Sequence, residues 1–417
     1  MESFGSVHFA LIALFVLGYS LIALEHTIQL NKSAIAIALA VLSWTILFLN
    51  QDGLSEKLSA FIAEDAQIVL FLLGALTIVE IIHLHKGFAI ITDLITVRSK
   101  RKFVWIIGSI AFLLSAVIDN LTTTVVMISI VSKLVKDRED RLLMGGAIVI
   151  AANAGGAFSP IGDVTTTMLW IDGKLSVWPI IRDLFLPSLT CFVIATLVLA
   201  RKLRGELTQS TEGREKIEPR GTLVFFAGAA ALIFVPIFKF QTGLPPMMGV
   251  LLGLGFLWML TDVLHYRYDG PSHLLIPVAL SRIDTSSILF FLGVLLSVNA
   301  LEQVHLLHAL AAWMQTTFAN VELIAFMLGA LSAVIDNVPL VAASMGMYDT
   351  SQFPPDSQFW QLIAYCAGTG GSMLAIGSAA GVVFMGLEMV GFVWYLRHIT
   401  LAAAAGYVGG ILVYLIT

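Results

Sequence analysis

The hexapeptide Ser-Ala-Val-Ile-Asp-Asn occurs twice in this chain, at 115–120 and again at 332–337. Each copy places an Asp-Asn pair inside a strongly apolar stretch. An ionised Asp within a membrane segment costs roughly 2.5–3.5 kcal/mol on insertion scales. Two such pairs with the same flanking residues indicate an internal repeat, and their carboxylates indicate that each repeat handles charge.

The composition places this chain in a membrane. Hydrophobic residues make up 58% of its 417 residues and charged residues only 12%, and the mean hydropathy is +0.92. That length has room for about ten crossings of roughly 20 residues each. A net charge of −5 gives no indication of nucleic-acid binding. The cysteines, Cys191 and Cys366, lie in apolar runs and are expected to pack in the core.

Apolar runs divide the chain into crossings and two interrupted stretches. The first run lacks a basic leader and a small-residue cleavage site, so we interpret it as a retained span. The predicted crossings are 7–28, 33–50, 66–84, 142–172, 177–200, 222–238, 245–264, 285–303, 358–388 and 391–416, of which the fourth and ninth are broken by Gly. Two further apolar stretches, 103–132 and 321–347, carry the repeated hexapeptide near their middles. A polar break in mid-run predicts a re-entrant hairpin that enters and leaves by one face of the membrane.

The basic residues indicate how these segments are oriented. Both flanks of the first hairpin, 98–102 and 136–141, are basic and should be cytoplasmic, which a hairpin permits and a single crossing forbids. With this orientation, 19 of the 23 Lys and Arg lie in or beside cytoplasmic loops. The stretch after the second hairpin, 348–358, has no basic residue, so that hairpin should open to the outside. The predicted location is the cell (inner) membrane, with both termini on its outer side.

The two halves of the chain have the same predicted plan. Each half has five crossings, one re-entrant hairpin and one broken helix. Because the number of crossings is odd, the second half has the opposite orientation in the membrane. The predicted fold is therefore an all-α polytopic membrane protein with an inverted-topology repeat, a common transporter design. We place the first repeat at 1–200, a polar cytoplasmic linker at 201–221 and the second repeat at 222–417.

Each half supplies oxygen-bearing side chains at two irregular elements, the hairpin tip and the Gly-rich break. Carboxylate, amide, hydroxyl and backbone carbonyl oxygens are hard ligands that suit Na⁺, and broken helices free carbonyls for the same purpose. The first half offers Asp119, Asn120, Thr122, Thr123, Thr124, Asn153, Ser159, Asp163, Thr165 and Thr166, and the second offers Asp336, Asn337, Ser372 and Ser378. The first site should therefore be the richer and more acidic one.

A structural interpretation of the same residues has to be weighed. Asp and Asn at these positions can cap the following helices, and the Thr runs can hydrogen-bond the backbone. Ser or Thr would cap at a lower desolvation cost, so ion handling is favoured for Asp119, Asp163 and Asp336. Intramembrane Glu80 is a candidate proton relay or a pairing partner.

Several segments of the chain resemble the ion transporter superfamily and, within it, the NhaD-type sodium/proton antiporters. The most specific segments are 115–127, 153–167, 332–343 and 368–381, and the likeness extends over nearly the whole chain. The resemblance implies a homodimer in the lipid bilayer, with a scaffold of early spans and a mobile transport domain. It assigns ion-pathway roles to Asp119, Asn120, Asn153, Asp163, Thr165, Thr166, Asp336, Asn337, Ser372 and Ser378. Anion-coupled relatives carry Ser-Asn-Thr at the hairpin tips, so the Asp-Asn pairs here argue against a carboxylate substrate.

The predicted activity is exchange of Na⁺ or Li⁺ for H⁺ by alternating access, without an enzymatic reaction or a cofactor. Na⁺ is expected at Asp119, Asn120 and Asp163, and a second site would use Asp336 and Asn337. Proton and cation would compete for the same carboxylates, because a carboxylate must be deprotonated to bind a cation. A permease for arsenite or another neutral oxyacid, and a Na⁺-coupled symporter of organic solutes, are alternatives within the superfamily. The symporter is disfavoured because no Arg or Lys is evident in the core to hold an anion.

Overall fold

The computed structural model describes residues 5–417 except 24, 91–96, 208–216, 219, 267–273, 275 and 319. In this described part of the chain the regular elements are helices, apart from an isolated antiparallel bridge between Ser99 and Glu206. Long apolar runs favour helices in lipid because a helix satisfies its own backbone hydrogen bonds.

The first half contributes nine described α-helices. They are α1 (Ser6–Ala23), α2 (Glu25–Ile28), α3 (Lys32–Asn50), α4 (Ser55–Leu84), α5 (Lys100–Ile118), α6 (Asn120–Leu134), α7 (Arg138–Ala157), α8 (Val164–Ile171) and α9 (Val177–Ala200). Polar side chains begin several of them: Asn31 accepts a hydrogen bond from the Ser33 N–H at the start of α3, and Asp137 accepts one from the Asp140 N–H in α7.

The second half contributes eleven described α-helices and one 3₁₀ turn. They are α10 (Gly221–Thr242), α11 (Pro246–Tyr266), α12 (Ile276–Arg282), α13 (Thr285–Gln303), α14 (Leu306–Phe318), α15 (Val321–Leu331), α16 (Asn337–Met347), α17 (Gln358–Gly370), α18 (Ala379–Glu388), α19 (Phe392–His398) and α20 (Thr400–Ile416), with the 3₁₀ turn at Ala375–Gly377. The helix at 306–318 was not among the predicted crossings, because its apolar residues alternate with His and Gln and form only one face.

The described helices confirm a multi-pass, all-α membrane protein. Seven are long and apolar enough to cross a bilayer, or up to nine if two sharply bent helix pairs count as one span each. The predicted crossings 177–200 and 285–303 match α9 and α13 at both ends. Helix α4 is longer than predicted, because the charged turns that precede 66–84 continue the helix and do not form a loop.

The helix breaks fall where polar residues or glycines interrupt the apolar runs. Helices α5 and α6 meet at Asp119, and α15 is separated from α16 by residues 332–336. Helices α7 and α8 are separated by residues 158–163, and α17 is separated from α18 by a stretch that holds the 3₁₀ turn. These four breaks put non-helical backbone among the apolar segments, where it needs partners from protein and not from lipid.

Packing brings elements of the two halves together around the breaks. Helix α16 of the second half contacts α8 of the first, α18 contacts α6, and α17 contacts α7. Away from the breaks, α3 packs along α13, where the Trp44 indole N–H donates to the Leu296 carbonyl at 2.9 Å. The functional positions of each half therefore lie next to those of the other half.

Two glycines allow the closest approaches between helices near the breaks. A Cβ at Gly155 would collide with the carbonyl oxygen of Phe112, and one at Gly370 would collide with that of Gly329. We expect Gly155→Ala and Gly370→Ala each to destabilise the fold by about 3 kcal/mol or more, because rigid backbone must move.

The measurement is the melting temperature and the yield of monodisperse protein in detergent. Gly255→Ala is the matched control: a Cβ there meets no heavy atom within 4 Å, so alanine should fold normally. Normal yields of Gly155→Ala and Gly370→Ala would show that these helices do not pack as described.

Candidate functional site

The carboxylate of Asp163 lies at the centre of a buried polar cluster. Asp163 is the N-cap of α8, and its Oδ1 accepts a hydrogen bond from the Thr165 N–H at 3.1 Å. Its Oδ2 accepts from the Nδ2 groups of Asn120 at 3.0 Å and of Asn337 at 3.3 Å. The Asn residues of both repeated hexapeptides thus converge on one carboxylate. The second of them, Asn337, is 174 residues away from Asp163 in sequence.

Asn153 extends this cluster into the second half of the chain. Its Oδ1 accepts from Asn120 Nδ2 at 3.0 Å, and its Nδ2 donates to the hydroxyls of Ser372 at 2.8 Å and Ser378 at 2.9 Å. Ser378 also caps α18 by accepting from the Gly381 N–H at 3.2 Å. The cluster joins side chains from both hairpin tips and both Gly-rich breaks. Its members are Asn120, Asn153, Asp163, Asn337, Ser372 and Ser378.

The cluster is buried, and its carboxylate has no basic partner among the described residues. Asp163 is 2% exposed and Asn153 is 0% exposed. No Lys, Arg or His of the described residues forms an ion pair with Asp163. A buried, uncompensated carboxylate is costly, so the arrangement favours arrival of a cation or a proton. Within the described part of the chain no three His, Cys, Asp or Glu side chains group as metal ligands, which leaves one carboxylate among neutral oxygens.

Threonine hydroxyls add further oxygens beside the cluster. The Oγ1 atoms of Thr123 and Thr165 are buried and have no hydrogen-bond partner among the described residues. The Thr166 hydroxyl donates to the Asp163 carbonyl at 2.9 Å. The Thr124 hydroxyl is in the same situation. A buried hydroxyl without a partner is destabilising unless another group or an ion binds it, so the hydroxyls of Thr123, Thr124 and Thr165 are suited to bind an ion.

Asp119 occupies a different position from Asp163. It lies at the break between α5 and α6 with a φ of 95°, a left-handed conformation that strains a non-glycine residue by about 1–3 kcal/mol. Its Oδ1 accepts from the Thr122 N–H at 2.8 Å and its Oδ2 from the Thr122 hydroxyl at 2.9 Å. Helix capping, the structural interpretation of this Asp, is therefore one of its roles, and it makes no hydrogen bond to Asp163.

Asp336, the repeat equivalent of Asp119, has a cationic partner. Its Oδ2 lies 3.1 Å from the Nζ of Lys32, and its side chain does not cap α16. Lys32 is only partly buried and begins α3, so this pair does not test the expectation that the core lacks Lys and Arg. Lys32 precedes an apolar run at a predicted loop, and nothing in its local sequence signals a partner 304 residues away.

Glu80 lies outside the cluster. Its Oε2 is 3.4 Å from His83 Nδ1, one helical turn further along α4. Of the predicted site residues, Asn120, Asn153, Asp163, Asn337, Ser372 and Ser378 come together directly. Thr123, Thr165 and Thr166 lie on helices α6 and α8, which begin at cluster residues. The side chains of Asp119, Asp336 and Glu80 instead contact Thr122, Lys32 and His83.

Comparison with known proteins identifies relatives over most of this chain. Residues 12–362 match the sequence profile of a family described as citrate transporter. Sodium/proton antiporter 1 of Arabidopsis thaliana is 52% identical over 97% of this chain and 72% of its own length. Sodium/proton antiporter 2 of the same plant is 50% identical over 96% of this chain and 98% of its own length.

A bacterial protein is related at a greater distance. The Na⁺/H⁺ antiporter NhaD of Vibrio cholerae is 30% identical over 99% of this chain and 92% of its own length. These relatives match 96–99% of this chain, whereas the family match ends at residue 362, before the second Gly-rich break.

Proposed function

This chain belongs to the citrate-transporter family and, within the ion transporter superfamily, to the NhaD-type sodium/proton antiporters, and from this premise we propose that it exchanges Na⁺ for H⁺ across a membrane. The observation that carries the proposal is the buried Asp163 carboxylate, which has neutral hydrogen-bond donors and, in the part of the chain that the structure describes, no basic partner. Either a proton or a Na⁺ ion neutralises that charge, and both cannot do so at once. Transport is then the whole activity, and no bond in a substrate is made or broken.

The side-chain amides of the cluster suit a site that binds H⁺ and Na⁺ in turn. Asn120 and Asn337 direct their Nδ2 groups at Asp163, and these two hydrogen bonds orient the carboxylate. Half a turn of each side-chain amide exchanges nitrogen for oxygen at the same position. Na⁺ binding would then use the Asn120 and Asn337 carbonyl oxygens, Asp163 and the free hydroxyls of Thr123 and Thr165.

Asp119 and Asp336 are proposed to act as secondary charged groups on the ion pathway. Each precedes an Asn of the cluster by one residue, so an ion bound at Asn120 or Asn337 lies near the adjacent carboxylate. Thr166, Ser372 and Ser378 support the site through hydrogen bonds to the backbone and to Asn153. Glu80, which pairs with His83, is proposed as a proton relay on α4.

We infer that the two halves, 1–200 and 222–417, form an inverted-topology repeat joined by the linker 201–221. Recurrent contacts support this. The Ser115 hydroxyl donates to the Ala152 carbonyl at 2.6 Å, and the Ser332 hydroxyl donates to the Ala367 carbonyl at 2.9 Å. Asp163 and Ser378 occupy the same cap position, one in each half. On this basis α5–α6 and α15–α16 are re-entrant hairpins, and α7–α8 and α17–α18 are broken helices.

Alternating access would move one group of helices against another. The proposed transport domain comprises both hairpins, both broken helices and the packed pair α9 and α20. The proposed scaffold comprises α3 with α13, and α4 with α10 and α11, which pack together. Exposed apolar side chains on α10 and α11, such as Phe240 and Phe256, suit lipid or a second copy of the chain in a homodimer.

The site does not suit the substrate named in the family description. Citrate carries several carboxylates, and proteins bind such groups with Arg or Lys. The Asp163 cluster offers a carboxylate in their place, so an anion would be repelled. The cation-exchange proposal is therefore preferred over symport of an organic acid.

The deciding experiment is a proton-flux assay on purified protein in proteoliposomes that contain a pH-sensitive dye. We expect Na⁺, and Li⁺ to a lesser or equal degree, to drive proton movement, whereas choline should not. Equal responses to all cations, or uptake of labelled citrate without cation-driven proton flux, would contradict the proposal.

The proposed topology is testable by cysteine labelling from each side of the membrane. The native cysteines, Cys191 and Cys366, are buried and free, so little labelling is expected before a cysteine is introduced. Cysteines placed at Lys102 and Glu139 should react from the cytoplasmic side, and one at Gln352 from the outside. Labelling of Lys102→Cys and Glu139→Cys from opposite sides would make α5–α6 a crossing and remove the inverted repeat.

A further inference from the structure

Lys32 is a cationic side chain fixed at the second hexapeptide. It is the first residue of α3, and its backbone N–H donates to Glu25 Oε1 at 3.0 Å. Its Nζ lies 3.1 Å from Asp336 Oδ2, and the two side chains are only 22% and 13% exposed. The ammonium also lies 4.4 Å from the ring centroid of Phe290, a favourable cation–π contact. The ammonium thus has two contacts, with Asp336 and with Phe290, while the Glu25 carboxylate binds the backbone of the same residue.

Lys32 lines two cavities, an inner one that Asp336 also lines and an outer one that Asp336 does not line. The inner cavity, about 50 Å³, is lined by Tyr19, Glu25, Lys32 and Asp336. The outer one, about 550 Å³, is also lined by Glu25 and Lys32, together with Asn31, Ser33, Asp284 and Ser286. The Tyr19 hydroxyl is buried at the inner cavity and has no hydrogen-bond partner among the described residues. Lys32 therefore lines both the cavity that reaches Asp336 and the larger outer cavity.

We propose that the Lys32 ammonium is a tethered competitor of the transported cation: it occupies the Asp336 carboxylate when no Na⁺ is there and is displaced when Na⁺ arrives. The proposal rests on the exchange function proposed above and goes further by naming the residue that sets cation affinity. Lys32 lies on the proposed scaffold and Asp336 on the proposed transport domain. Their pair therefore neutralises an empty site and also joins the two moving parts. Lys32 is thus a residue that determines specificity and not a ligand of the ion.

Removal of the tethered charge should strengthen Na⁺ binding. In Lys32→Met the long apolar chain still covers Phe290, but Asp336 no longer has a competing cation. We expect the half-saturating Na⁺ concentration for proton release, at one fixed pH, to fall by about tenfold, which equals about 1.4 kcal/mol. Lys32→Arg, which keeps the charge, should remain close to the wild type.

Lys239 offers a matched control. Its ammonium is half-buried and lies 4.6 Å from the ring centroid of Trp170, but it donates to a backbone carbonyl and not to a carboxylate. Lys239→Met should leave the half-saturating Na⁺ concentration unchanged. An unchanged value in Lys32→Met, with only the maximal rate altered, would overturn the proposal and leave Lys32 a structural partner of Asp336.

A second measurement uses the native chain and does not depend on a variant that folds. Lys32 is modified with an amine-reactive reagent in the purified protein, and the modified fraction is measured by mass spectrometry with Na⁺ or choline present. Displacement predicts faster modification of Lys32 in Na⁺ and no change at Lys239. A wild-type protein that fails to exchange Na⁺ would refute the proposed function itself. Normal exchange with Na⁺-independent modification of Lys32 would refute only the tethered-competitor proposal.

Discussion

Asp163→Asn should abolish Na⁺/H⁺ exchange while leaving the protein folded. The amide has the same shape and can still accept the Thr165 N–H bond that caps α8. It can neither bind a proton nor offer a charge to Na⁺, so we expect the exchange rate to fall by more than about 100-fold. Because the substitution removes a buried charge that has no counterion, the melting temperature should stay the same or rise. The measurements are proton flux in proteoliposomes and thermal unfolding of the same preparation.

Asp137→Asn provides the control for this substitution. Asp137 also caps a helix, by accepting from the Asp140 N–H at 2.9 Å, but it is exposed and lies outside the cluster. Its exchange rate should match the wild type. Wild-type exchange in Asp163→Asn would reduce that carboxylate to a helix cap and would remove the observation on which the proposed function rests.

The polar residues of the site could be predicted because their surroundings are so apolar. Asn120 and Asn337 stand out as half of a duplicated Asp-Asn pair, and Asp163 as an acid at a Gly-rich break. Polar groups in such segments are expensive and tend to be functional. The helix breaks were predicted for the same reason, since a polar or Gly-rich interruption ends an apolar helix at a defined place.

The partners of these residues could not be predicted. Each half was expected to build its own site, whereas Asn337 of the second half bonds Asp163 of the first. Lys32 meets Asp336, and Asp65 meets Asn299 at 3.0 Å. These contacts join positions more than 170 residues apart, and local periodicity carries no information about which helix faces which.

The proposed repeat is not symmetric in its chemistry, which has a consequence for charge. Asp163 is replaced by Ser378 in the second half, and Asn153 by Gly368, although the backbone contacts recur. The two hairpin tips differ as well, since Asp119 caps its own helix and Asp336 pairs with Lys32. Among the described residues neither Asp119 nor Asp163 has a basic partner, and Asp163 is the carboxylate that the polar cluster surrounds. A repeat that was symmetric in backbone and chemistry would have placed two carboxylates together and raised the electrostatic cost of the empty site.

The half-saturating Na⁺ concentration should depend steeply on pH. Because the Asp163 carboxylate binds either a proton or Na⁺, acidification protonates it and excludes Na⁺. Alkalinisation deprotonates the carboxylate and allows Na⁺ to bind. On the acidic side of this titration, the half-saturating concentration should rise by about tenfold for each unit that the pH falls, if one proton competes with one Na⁺. On the alkaline side it should become constant. Exchange should therefore be favoured at neutral to alkaline pH and suppressed by acid.

The measurement is proton release from proteoliposomes at a series of Na⁺ concentrations, repeated across a pH series with equal pH on both sides at the start. Nearby Asp119 and Asp336 can share the titration, in which case the slope belongs to the coupled group and not to one residue. Asp119→Asn and Asp336→Asn separate these cases, because a slope that persists in both variants assigns the competing proton to Asp163. A half-saturating Na⁺ concentration that stays constant with pH, while only the maximal rate changes, would mean that proton and Na⁺ occupy different ligands, and the shared-carboxylate mechanism would be wrong.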